Sequence, residues 1–562
     1  MNMINGPENV KNSRYVPLVL LMAITLAIFW PSLKHDFLIN WDDQQYVTQN
    51  PSIMGLTLEH VKTAFTKSFS GNYAPLHLLS YMVDYDIWGL KPSGFIFTNI
   101  LLHAINGALF YLLIMKMSGE SVPAFFASLL FLLHPVQVES VVWVSQRKTL
   151  LAMTFFLLAM LWYVAYKKGK QESPGRSKVF YSLSLAALVL ASLSKSVVVV
   201  FPLVVLLYDI CFDERKSLSS LLIDKIPFAV VSVFVANLAI GTHDAQTVGG
   251  VTTYHGGTLY TTLLTMMPVL ASYLRLVFWP SNLSAFYDPP IKTAIDVGVA
   301  AAGVLCIVLI AVGILLYRRR RDLFFWFLLF FIGLIPVSQI VPLVTIMNDR
   351  YLYFPMLGAS AFFGILAFRG RRWSSLVASK YAMAVFALCL MVVGAYAVAT
   401  SQRIGVWQNS ATLWGDAVQK APEVALTHDG YGEGLLALGR VDEALDQFKI
   451  ALSMTPDAAV KDLNAGQRDA YANTLNNLGA AYGLKGRTDD AIGMFRAAIR
   501  LKPDLGKAYF NLGNALMHKG LTSDALKYFD TAVLLEPANP MFRANRDNTR
   551  LLLNAAESRE RE

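Results

Sequence analysis

The sequence predicts an all-α protein in two unlike parts: a polytopic helical membrane domain, residues 1–404, and a solenoid of paired helices, residues 405–562. Three observations predict this fold class. Of the 562 residues, 55% are hydrophobic and only 15% are charged, whereas soluble globular domains carry about 25% charged residues. Apolar segments recur throughout the first part, and most approach the roughly 20 residues that a helix needs to cross a bilayer. The second part repeats itself every 34 residues.

The two parts also differ in charge. Residues 405–562 carry 18 basic and 20 acidic residues, which leaves 30 basic and 19 acidic residues for the first part. Positive charge between apolar segments marks cytoplasmic loops, so this excess indicates a membrane protein and no nucleic-acid partner. The composition also excludes a disordered chain, which would be poor in apolar residues. The three cysteines lie in or beside apolar runs, so no disulfide framework is expected.

Loop charges orient the candidate spans, which are 15–33, 95–117, 122–144, 149–167, 178–194, 197–210, 222–241, 259–279, 294–317, 322–344, 353–368 and 380–401. Basic clusters mark four cytoplasmic loops: Lys167–Lys178, Arg215–Lys225, Arg318–Arg321 and Arg369–Arg372. If all segments crossed, the second and third clusters would lie on opposite sides. We therefore expect 259–279 to lie at the outer interface or to re-enter; the alternative fuses 178–210 into one tilted span. Both solutions give about eleven spans.

This topology places the N-terminus in the cytoplasm and the C-terminus outside an inner or plasma membrane. The first segment has no clear cleavage site and is interpreted as an uncleaved signal anchor. Two long polar regions then face the extracytoplasmic side, namely the first loop, 34–94, and everything after residue 402. Within the first loop, the amphipathic stretch 58–65 is typical of a helix that lies on the membrane surface.

The repeats of the second part have eight positions in phase. Leu475, Leu478, Gly479, Tyr482, Ala491, Phe495, Ala498 and Pro503 recur 34 residues later as Tyr509, Leu512, Gly513, Leu516, Ala525, Phe529, Ala532 and Pro537. This is the tetratricopeptide pattern of two antiparallel helices per unit. We expect about three and a half units, with an insertion at Asp457–Asp469 and a capping helix near 541–556. Such solenoids expose a groove that binds a polypeptide, although a spacer or a dimerisation module has the same pattern.

An acidic pair, Asp42 and Asp43, follows the first span directly. A carboxylate beside an apolar interface has a raised proton affinity and can act as a general base. Carboxylate pairs also bind divalent metals, and Asp favours turns and helix N-caps, so both of these interpretations stay open. The chain has no HExxH or CxxC spacing and no GxGxxG or Walker loop. A metal is therefore possible but not indicated, and a cytoplasmic nucleotide donor is unsupported.

Basic side chains accumulate on the same predicted face. Arg147 and Lys148 follow His134 and Glu139 in an outward-facing turn, where they depart from the positive-inside tendency. Because guanidinium and ammonium groups bind phosphate oxygens, a lipid phosphate is a natural partner, although an interfacial pair that reaches water is the alternative.

Lys195 and Arg350 are further outward cations, and Tyr351 follows Arg350. The alternatives are a turn lysine that reaches water and a local ion pair with Asp349. His103 shares one helical face with Asn99 and Asn106, which favours interhelical hydrogen bonds over catalysis.

Together these motifs resemble the transmembrane-and-tetratricopeptide-repeat proteins, a branch of the GT-C glycosyltransferases related to protein O-mannosyltransferases. The resemblance spans essentially the whole chain in the family's order. It rests on Asn40-Trp41-Asp42-Asp43, Pro75-Leu76-His77, Asn99 to His103, His134-Pro135 with Glu139 and Arg147, Asp349-Arg350-Tyr351-Leu352-Tyr353 and the repeats.

The resemblance implies an enzyme that takes a sugar, mannose or another hexose, from a polyprenyl-phosphate carrier. The acceptor would be a Ser or Thr hydroxyl of an extracytoplasmic protein held by the repeats. The resemblance also implies an acidic base in the first outer loop, here Asp42 or Asp43. From their location on the outer face, we assign four cations to binding of the donor phosphate: Arg147, Lys148, Lys195 and Arg350. The supporting polar groups are His103, His134, Glu139 and Tyr351. Two competing hypotheses are a membrane-anchored repeat scaffold and a transporter or polymerase of lipid-linked glycans.

Overall fold

The computed structural model describes residues 15–69, 71–169, 174–213, 221–241, 253–371, 379–455, 460–461, 463–537 and 539–561. Within these ranges the chain is helical, and the only β-type pairing is an isolated bridge between Phe69 and Asn72. The chain divides into two compact units, Met1–Gln408 and Asn409–Glu562. The all-α fold class is therefore confirmed.

Fifteen α-helices are described in the first unit. They are α1 Val16–Phe29, α2 Leu58–Thr66, α3 Pro75–Trp88, α4 Pro92–Ser118, α5 Ser121–Leu133, α6 Val138–Val142, α7 Arg147–Gly169, α8 Pro174–Ser192, α9 Phe201–Phe212, α10 Ile226–Gly241, α11 Leu259–Phe278, α12 Val297–Arg319, α13 Arg321–Leu334, α14 Pro355–Phe368 and α15 Lys380–Val406. The amphipathic stretch 58–65, predicted within the first loop, forms α2, whose N-terminus is capped by the Thr57 side chain.

By length and composition, six helices of the described part could cross a membrane, or seven if one bent pair counts as a single span. These six are Val16–Lys34, Pro92–Ser118, Val144–Gly169, Leu259–Phe278, Val297–Arg319 and Lys380–Val406. The count of about eleven spans is not confirmed and stays a prediction. Segment 259–279 was expected to lie at the outer interface or to re-enter, and its helix is among the six that could cross by length and composition. Its position in the membrane stays a prediction.

Two predicted spans are not continuous helices. In segment 122–144, α5 ends at Leu133 and the chain bends by 55° into Pro135–Val142. In segment 322–344, α13 ends at Leu334 and is followed by a short 3-10 turn, Ile335–Val337. A proline stands in each break, where it cannot donate the helical hydrogen bond and disfavours helix in the residue before it.

A third break separates two segments that the alternative topology fused. There α8 ends at Ser192, a turn contains Lys195, and α9 begins at Phe201. Of the candidate site residues, Glu139 lies in the first of these breaks and Lys195 in the third, because a break places at a loop end groups that a spanning helix would hold in hydrocarbon.

The second unit consists of helices α16 Ser410–Lys420, α17 Ala425–Ala437, α18 Val441–Ser453, α19 Ala465–Leu484, α20 Thr488–Leu501, α21 Gly506–His518, α22 Thr522–Leu535 and α23 Pro540–Arg561. The in-phase glycines lie where paired helices touch. A Cβ on Gly479 would come within 2.7 Å of the Phe495 ring, and one on Gly513 would come as close to Phe529. The repeat pattern thus follows from the contact between the two helices of each unit.

The predicted insertion, Asp457–Asp469, lies partly outside the described residues. Its last residues form the first turns of α19, which is longer than the other first helices of the repeats. Asn464 and Gln467 close a capping box at this end, in which each side chain accepts from the other residue's backbone N–H. The predicted capping helix is present as α23.

Candidate active site

Asp43 is buried and held by hydrogen-bond donors. Its side chain accepts from the Leu38 backbone N–H at 3.1 Å and from the Ser145 backbone N–H at 3.0 Å, and also from the Ser145 hydroxyl. Burial raises the pKa of Asp43 to about 6, against the lowering effect of these hydrogen bonds. Both carboxylate oxygens are therefore engaged within the protein, and Asp43 links the first loop to the turn that precedes α7.

Asp42 lies in a different environment from its neighbour. Its side chain is 29% exposed, and one carboxylate oxygen lies 3.9 Å from Nζ of Lys148. The Lys148 ammonium also lies over the Tyr46 ring, 4.8 Å from its centre. Asp42 is thus the accessible carboxylate of the pair, in a loose ion pair with a cation that the sequence analysis assigned to donor binding.

Lys148 and Lys195 line one cavity of about 400 Å³. Lys195 donates to the Thr149 hydroxyl at 2.8 Å. Burial lowers the pKa of Lys195 well below its usual value, and the positive charges of Lys148 and Arg350 lower it further, whereas Glu139 and Asp42 act in the opposite sense. Two lysines therefore face one cavity, and the partly exposed carboxylate of Asp42 lies close to one of them.

The rest of the cavity is mostly apolar. Helix α10 contributes one wall, and the end of α8 with the Asn72–Ala74 stretch contributes another. On α10, Val230 is 61% and Phe234 is 63% exposed, so this wall continues into an apolar outer surface. The cavity thus joins a cationic end to an apolar side, as a molecule with a charged head and a hydrocarbon tail requires.

Glu139 and Arg350 form a second charged pair, between the bend after α5 and the turn before α14. Arg350 donates from its guanidinium to Glu139 Oε1 at 2.5 Å and from its backbone N–H to Oε2 at 2.8 Å. Its guanidinium also lies 5.3 Å from the Trp143 ring centre and 5.4 Å from that of Tyr351. Arg350 therefore has an acidic partner that is distant in sequence, in addition to the neighbouring Asp349 that the sequence offered as a local partner.

Arg147 lies in the protein interior. It was assigned to the donor phosphate because it was expected to face outward, and the structure does not place it there. Its guanidinium is fully buried and pairs with Asp84 at 2.6 Å. It also donates to Asn99 Oδ1 at 2.8 Å and to the carbonyls of Ser80 and Phe95. Because protein acceptors surround it, Arg147 holds α3, α4 and α7 together and does not face the cavity.

The two histidines assigned as supporting groups have packing roles. Nδ1 of His103 lies 2.8 Å from the Tyr353 hydroxyl, and its Nε2 lies 3.1 Å from the Leu132 carbonyl. His134 accepts from the Val136 backbone N–H at Nδ1, so its Nε2 carries the proton and donates to Val277. Both rings are buried, as the sequence analysis favoured for His103. Tyr351 hydrogen-bonds through its hydroxyl to Thr345.

Sequence reasoning missed several partners of these groups. Asp84 and Ser145 were not singled out, although a buried arginine requires an acidic partner somewhere in the chain. A further cluster joins Asp349 to the Tyr287 hydroxyl at 2.5 Å and to Arg403 at 3.8 Å. The only available signals were an acidic residue within the apolar α3 segment and a basic residue near the end of α15.

No group of three or more His, Cys, Asp or Glu side chains that could hold a metal ion occurs among the described residues. The divalent metal, which the sequence left possible but did not indicate, therefore gains no candidate ligand set from this part of the chain.

Comparisons with known proteins agree with the repeats. Tetratricopeptide-repeat family profiles match residues 423–504 and 477–540. Among solved structures, yeast Tom70 is 12% identical, with a TM-score of 0.23 over 82% of this chain and 92% of that chain.

Curated proteins that are similar over most of this chain are named protein O-mannosyl-transferases. Human TMTC3 is 23% identical over 496 residues, which cover 80% of this chain and 52% of that protein. Protein O-mannosyl-transferase F38B6.6 of Caenorhabditis elegans is 23% identical over 78% of this chain and 63% of its own length. Mouse TMTC2 is 32% identical over 152 residues, which are 26% of this chain and 18% of that protein.

The chain spans about half the length of the first curated relatives that it matches. Because these matches cover 80% and 78% of this chain, they include residues of both compact units. They confirm the resemblance that the sequence motifs predict.

Proposed function

We propose that this chain, a relative of the transmembrane-and-tetratricopeptide-repeat protein O-mannosyl-transferases, transfers a sugar from a polyprenyl-phosphate carrier to a Ser or Thr hydroxyl of a protein. One observation carries the proposal: Lys148 and Lys195 line a cavity with an apolar wall, and the exposed carboxylate of Asp42 lies beside Lys148. The relatives named above supply the reaction class and mannose as the first sugar to test.

The donor's phosphate would bind at the cationic end of the cavity. Lys148 and Lys195 are both ammonium donors, and phosphate oxygens accept from such groups with charge assistance. The polyprenyl tail would lie against Val230 and Phe234 of α10, whose exposed side chains continue the apolar wall outward. Arg350 and Glu139, bound to each other, lie near Lys195 and act on its charge in opposite senses.

Asp42 is the proposed general base. Its carboxylate takes the proton of the acceptor hydroxyl as the hydroxyl oxygen forms a bond to the anomeric carbon of the sugar. The bond from that carbon to the phosphate oxygen breaks, and the departing phosphate keeps the electron pair. The developing negative charge is stabilised by Lys148 and Lys195. Asp43 is a positioning residue, because its oxygens are engaged by Ser145 and Leu38.

The same proposal includes a topology. The first loop and the repeats would lie on the extracytoplasmic side of the membrane, because the basic loops Arg318–Arg321 and Arg369–Arg372 favour the cytoplasm. A cysteine introduced at Gly405, in a chain whose Cys211, Cys306 and Cys389 are replaced by serine, would then react with a membrane-impermeant maleimide in intact cells. Labelling only after permeabilisation would contradict this topology.

The proposed reaction is tested with the purified full chain in lipid nanodiscs. The chain is incubated with polyprenyl-phosphate mannose and a Ser/Thr-containing peptide, and the peptide is then analysed by mass spectrometry. We expect a hexose adduct with the unmodified chain and none with Asp42→Asn. Lys91→Gln, an exposed substitution in the first loop, serves as the matched control and should transfer normally. An adduct of equal yield with Asp42→Asn would contradict the assignment of the base.

A further inference from the structure

A second cavity of the first unit lies among α9, α11, α12 and α13 and has a volume of about 680 Å³. We call it the α12–α13 groove; it runs from Tyr317 and Phe324 at one end to Cys306 and Phe331 at the other. Apart from the Cys306 thiol and the Tyr317 hydroxyl, its lining side chains are hydrocarbon. The groove shares no lining residue with the cavity of Lys148 and Lys195.

Gly313 leaves space in the middle of this groove. It is buried on α12, and a Cβ placed on it would lie 3.4 Å from the Phe327 ring, an ordinary contact distance. Because glycine has no side chain, the space that a larger residue would occupy belongs to the groove. The stretch of α12 from Cys306 to Tyr317 is about 16 Å long, which is close to half of the roughly 30 Å hydrocarbon thickness of a bilayer. The groove therefore has the length of one membrane leaflet.

One end of the groove meets a cluster of arginines. Tyr317 and Phe324 line this end, and they flank the basic turn Arg318–Arg321 that joins α12 to α13. The guanidinium of Arg321 lies 5.2 Å from the centre of the Tyr317 ring. A fixed positive charge therefore stands where the apolar groove opens to the polar surface.

This arginine cluster has an excess of positive charge. Asp322 accepts from Arg320 at 3.2 Å and also from Arg369. Within the described ranges, no ion pair links an acidic side chain to the three exposed arginines of the turn, which are Arg318, Arg319 and Arg321. Guanidinium groups bind phosphate oxygens through charge-assisted hydrogen bonds, so an anionic group with phosphate oxygens is the complementary ligand.

We propose that the α12–α13 groove binds one anionic phospholipid, with an acyl chain along Gly313 and the phosphate at Arg321. The apolar lining takes hydrocarbon out of contact with water and polar headgroups, and the arginine turn supplies the selectivity for negative charge. This lipid is a resident of the membrane unit and is not the sugar donor, whose phosphate and tail are assigned to the other cavity. The lipid site does not depend on the proposed sugar transfer.

Charge favours a lipid over a second copy of this chain as the occupant. Copies of one membrane protein share the same orientation, because their basic loops fix it. A second copy would therefore bring its own basic turns to the side of the membrane where Arg318–Arg321 lies, and like charges oppose such an approach. An anionic phospholipid brings negative charge to the same place.

Native mass spectrometry of the purified full chain in detergent tests the proposal. The probes are phosphatidylglycerol and phosphatidylcholine with identical acyl chains, each titrated onto the delipidated chain. We expect one phosphatidylglycerol molecule to bind about tenfold more tightly than phosphatidylcholine, since only its headgroup has a net negative charge. Equal affinities for the two lipids would overturn the proposal.

Gly313→Leu tests the apolar part of the site. Its side chain would occupy the space beside Phe327, so we expect phosphatidylglycerol to bind about tenfold more weakly. Gly394→Leu on α15 is the matched control, because a Cβ on Gly394 would have no neighbour within 4 Å and Gly394 does not line the groove. Equal affinities in these two variants would contradict the placement of the acyl chain.

Arg321→Gln tests the charged part and decides the case if Gly313→Leu does not fold. It should weaken phosphatidylglycerol binding about fivefold and leave phosphatidylcholine binding unchanged. Lys380→Gln is the control, because Lys380 is an exposed cation at the start of α15 that does not line the groove. The same loss in Lys380→Gln would assign the selectivity to the general charge of this surface and overturn the site.

Two further outcomes would assign the groove to another occupant. Glycerol 3-phosphate has the phosphate without acyl chains, so its competition at concentrations like those of phosphatidylglycerol would indicate a site for soluble anions. A dimer that forms without added lipid and is lost in Gly313→Leu would indicate a second copy in the groove. Either result would overturn the proposal, and neither bears on hexose transfer, which is measured separately.

Discussion

Ser145 donates its backbone N–H to Oδ1 of Asp43 at 3.0 Å, and its hydroxyl donates to the same oxygen across 102 residues of sequence. Leu38 satisfies the other oxygen at 3.1 Å. This contact fixes the loop after α1 against the turn before α7 and leaves the adjacent Asp42 partly exposed. Two neighbouring aspartates, equivalent in sequence, therefore have different structural roles.

The free energy of unfolding should fall more on substitution of Asp43 than on substitution of Asp42. Asp43→Ala leaves three buried donors without an acceptor, and each orphaned group costs about 1–3 kcal/mol. Asp42→Ala removes a partly exposed, loosely paired carboxylate, so we expect a change of at most about 1 kcal/mol. Thermal unfolding of the full chain in nanodiscs measures both. Equal losses in the two variants would show that Asp43 does not anchor the loop.

The rate of hexose transfer, in contrast, should depend more on Asp42 than on Asp43. Asp42→Asn keeps the shape of the side chain but cannot take a proton, so we expect hexose transfer to fall by about 10²- to 10⁴-fold. Binding of the polyprenyl-phosphate donor should be retained, because the cavity cations are unchanged. The measurement is transfer rate and donor affinity on the same preparation. Loss of donor binding together with transfer would instead assign Asp42 to the donor site.

The stability of the first unit should depend on pH through Asp43. Burial raises its folded-state pKa to about 6, above the unfolded value of 3.8. Between these values Asp43 binds more protons in the folded state than in the unfolded state, so its contribution to stability falls as pH rises from about 4 to 6 and levels off above that window. Burial lowers the pKa of His35 to about 4, so the contribution of His35 changes in the opposite sense, and the contribution of Asp43 is read from the difference between the unmodified chain and Asp43→Asn. Asp43→Asn should lack this slope. Thermal unfolding across pH 4 to 8 is the measurement, and an unchanged slope in Asp43→Asn would assign it to another group.

Donor binding should weaken at alkaline pH because of Lys195. Burial, with Lys148 and Arg350 nearby, lowers the pKa of Lys195, so the cation is lost at a lower pH than for an ordinary lysine. Lys195→Gln should weaken donor binding by about 10- to 100-fold at neutral pH. Lys195→Arg should extend binding to higher pH. The control is Lys91→Gln, and identical pH profiles for Lys195→Arg and the unmodified chain would contradict the role of Lys195.

Arg147 should affect folding rather than donor affinity. Arg147→Met leaves the buried carboxylate of Asp84 without its cation, and breaking one side of a buried ion pair costs about 3–5 kcal/mol. The double variant Arg147→Met, Asp84→Leu should recover part of that stability. Unfolding temperature and donor affinity are measured together. A variant that folds normally but loses donor affinity would return Arg147 to the donor site.

Much of the architecture could be predicted because its signals are local. Apolar runs predict helices that are long enough to cross the hydrocarbon core of a membrane. The Gly479–Phe495 and Gly513–Phe529 contacts recur at a fixed spacing within one chain segment. The helix breaks were less predictable. Segment 122–144 is apolar enough for a span, yet Pro135 lies after His134 and the helix ends at Leu133.

The site could be predicted in its residue types but not in its pairings. Lys148 and Lys195 were expected to serve one function, and they line one cavity. Arg147, next to Lys148 in sequence, projects into the interior toward Asp84. Since consecutive residues at a helix start point in different directions, sequence adjacency carries no information about which side chain faces the cavity.

By itself the sequence determined that this chain is a helical membrane protein with tetratricopeptide repeats and an acidic pair after its first apolar helix. Only the tertiary structure decided that Asp43 is bound by Ser145, that Glu139 pairs with Arg350, and that Asp42 is the accessible carboxylate. The physical reason is the sequence separation of the residues that carry each signal. Hydrophobic periodicity is read from neighbouring residues, whereas the choice of a polar partner depends on which distant segments the packing brings within hydrogen-bond distance.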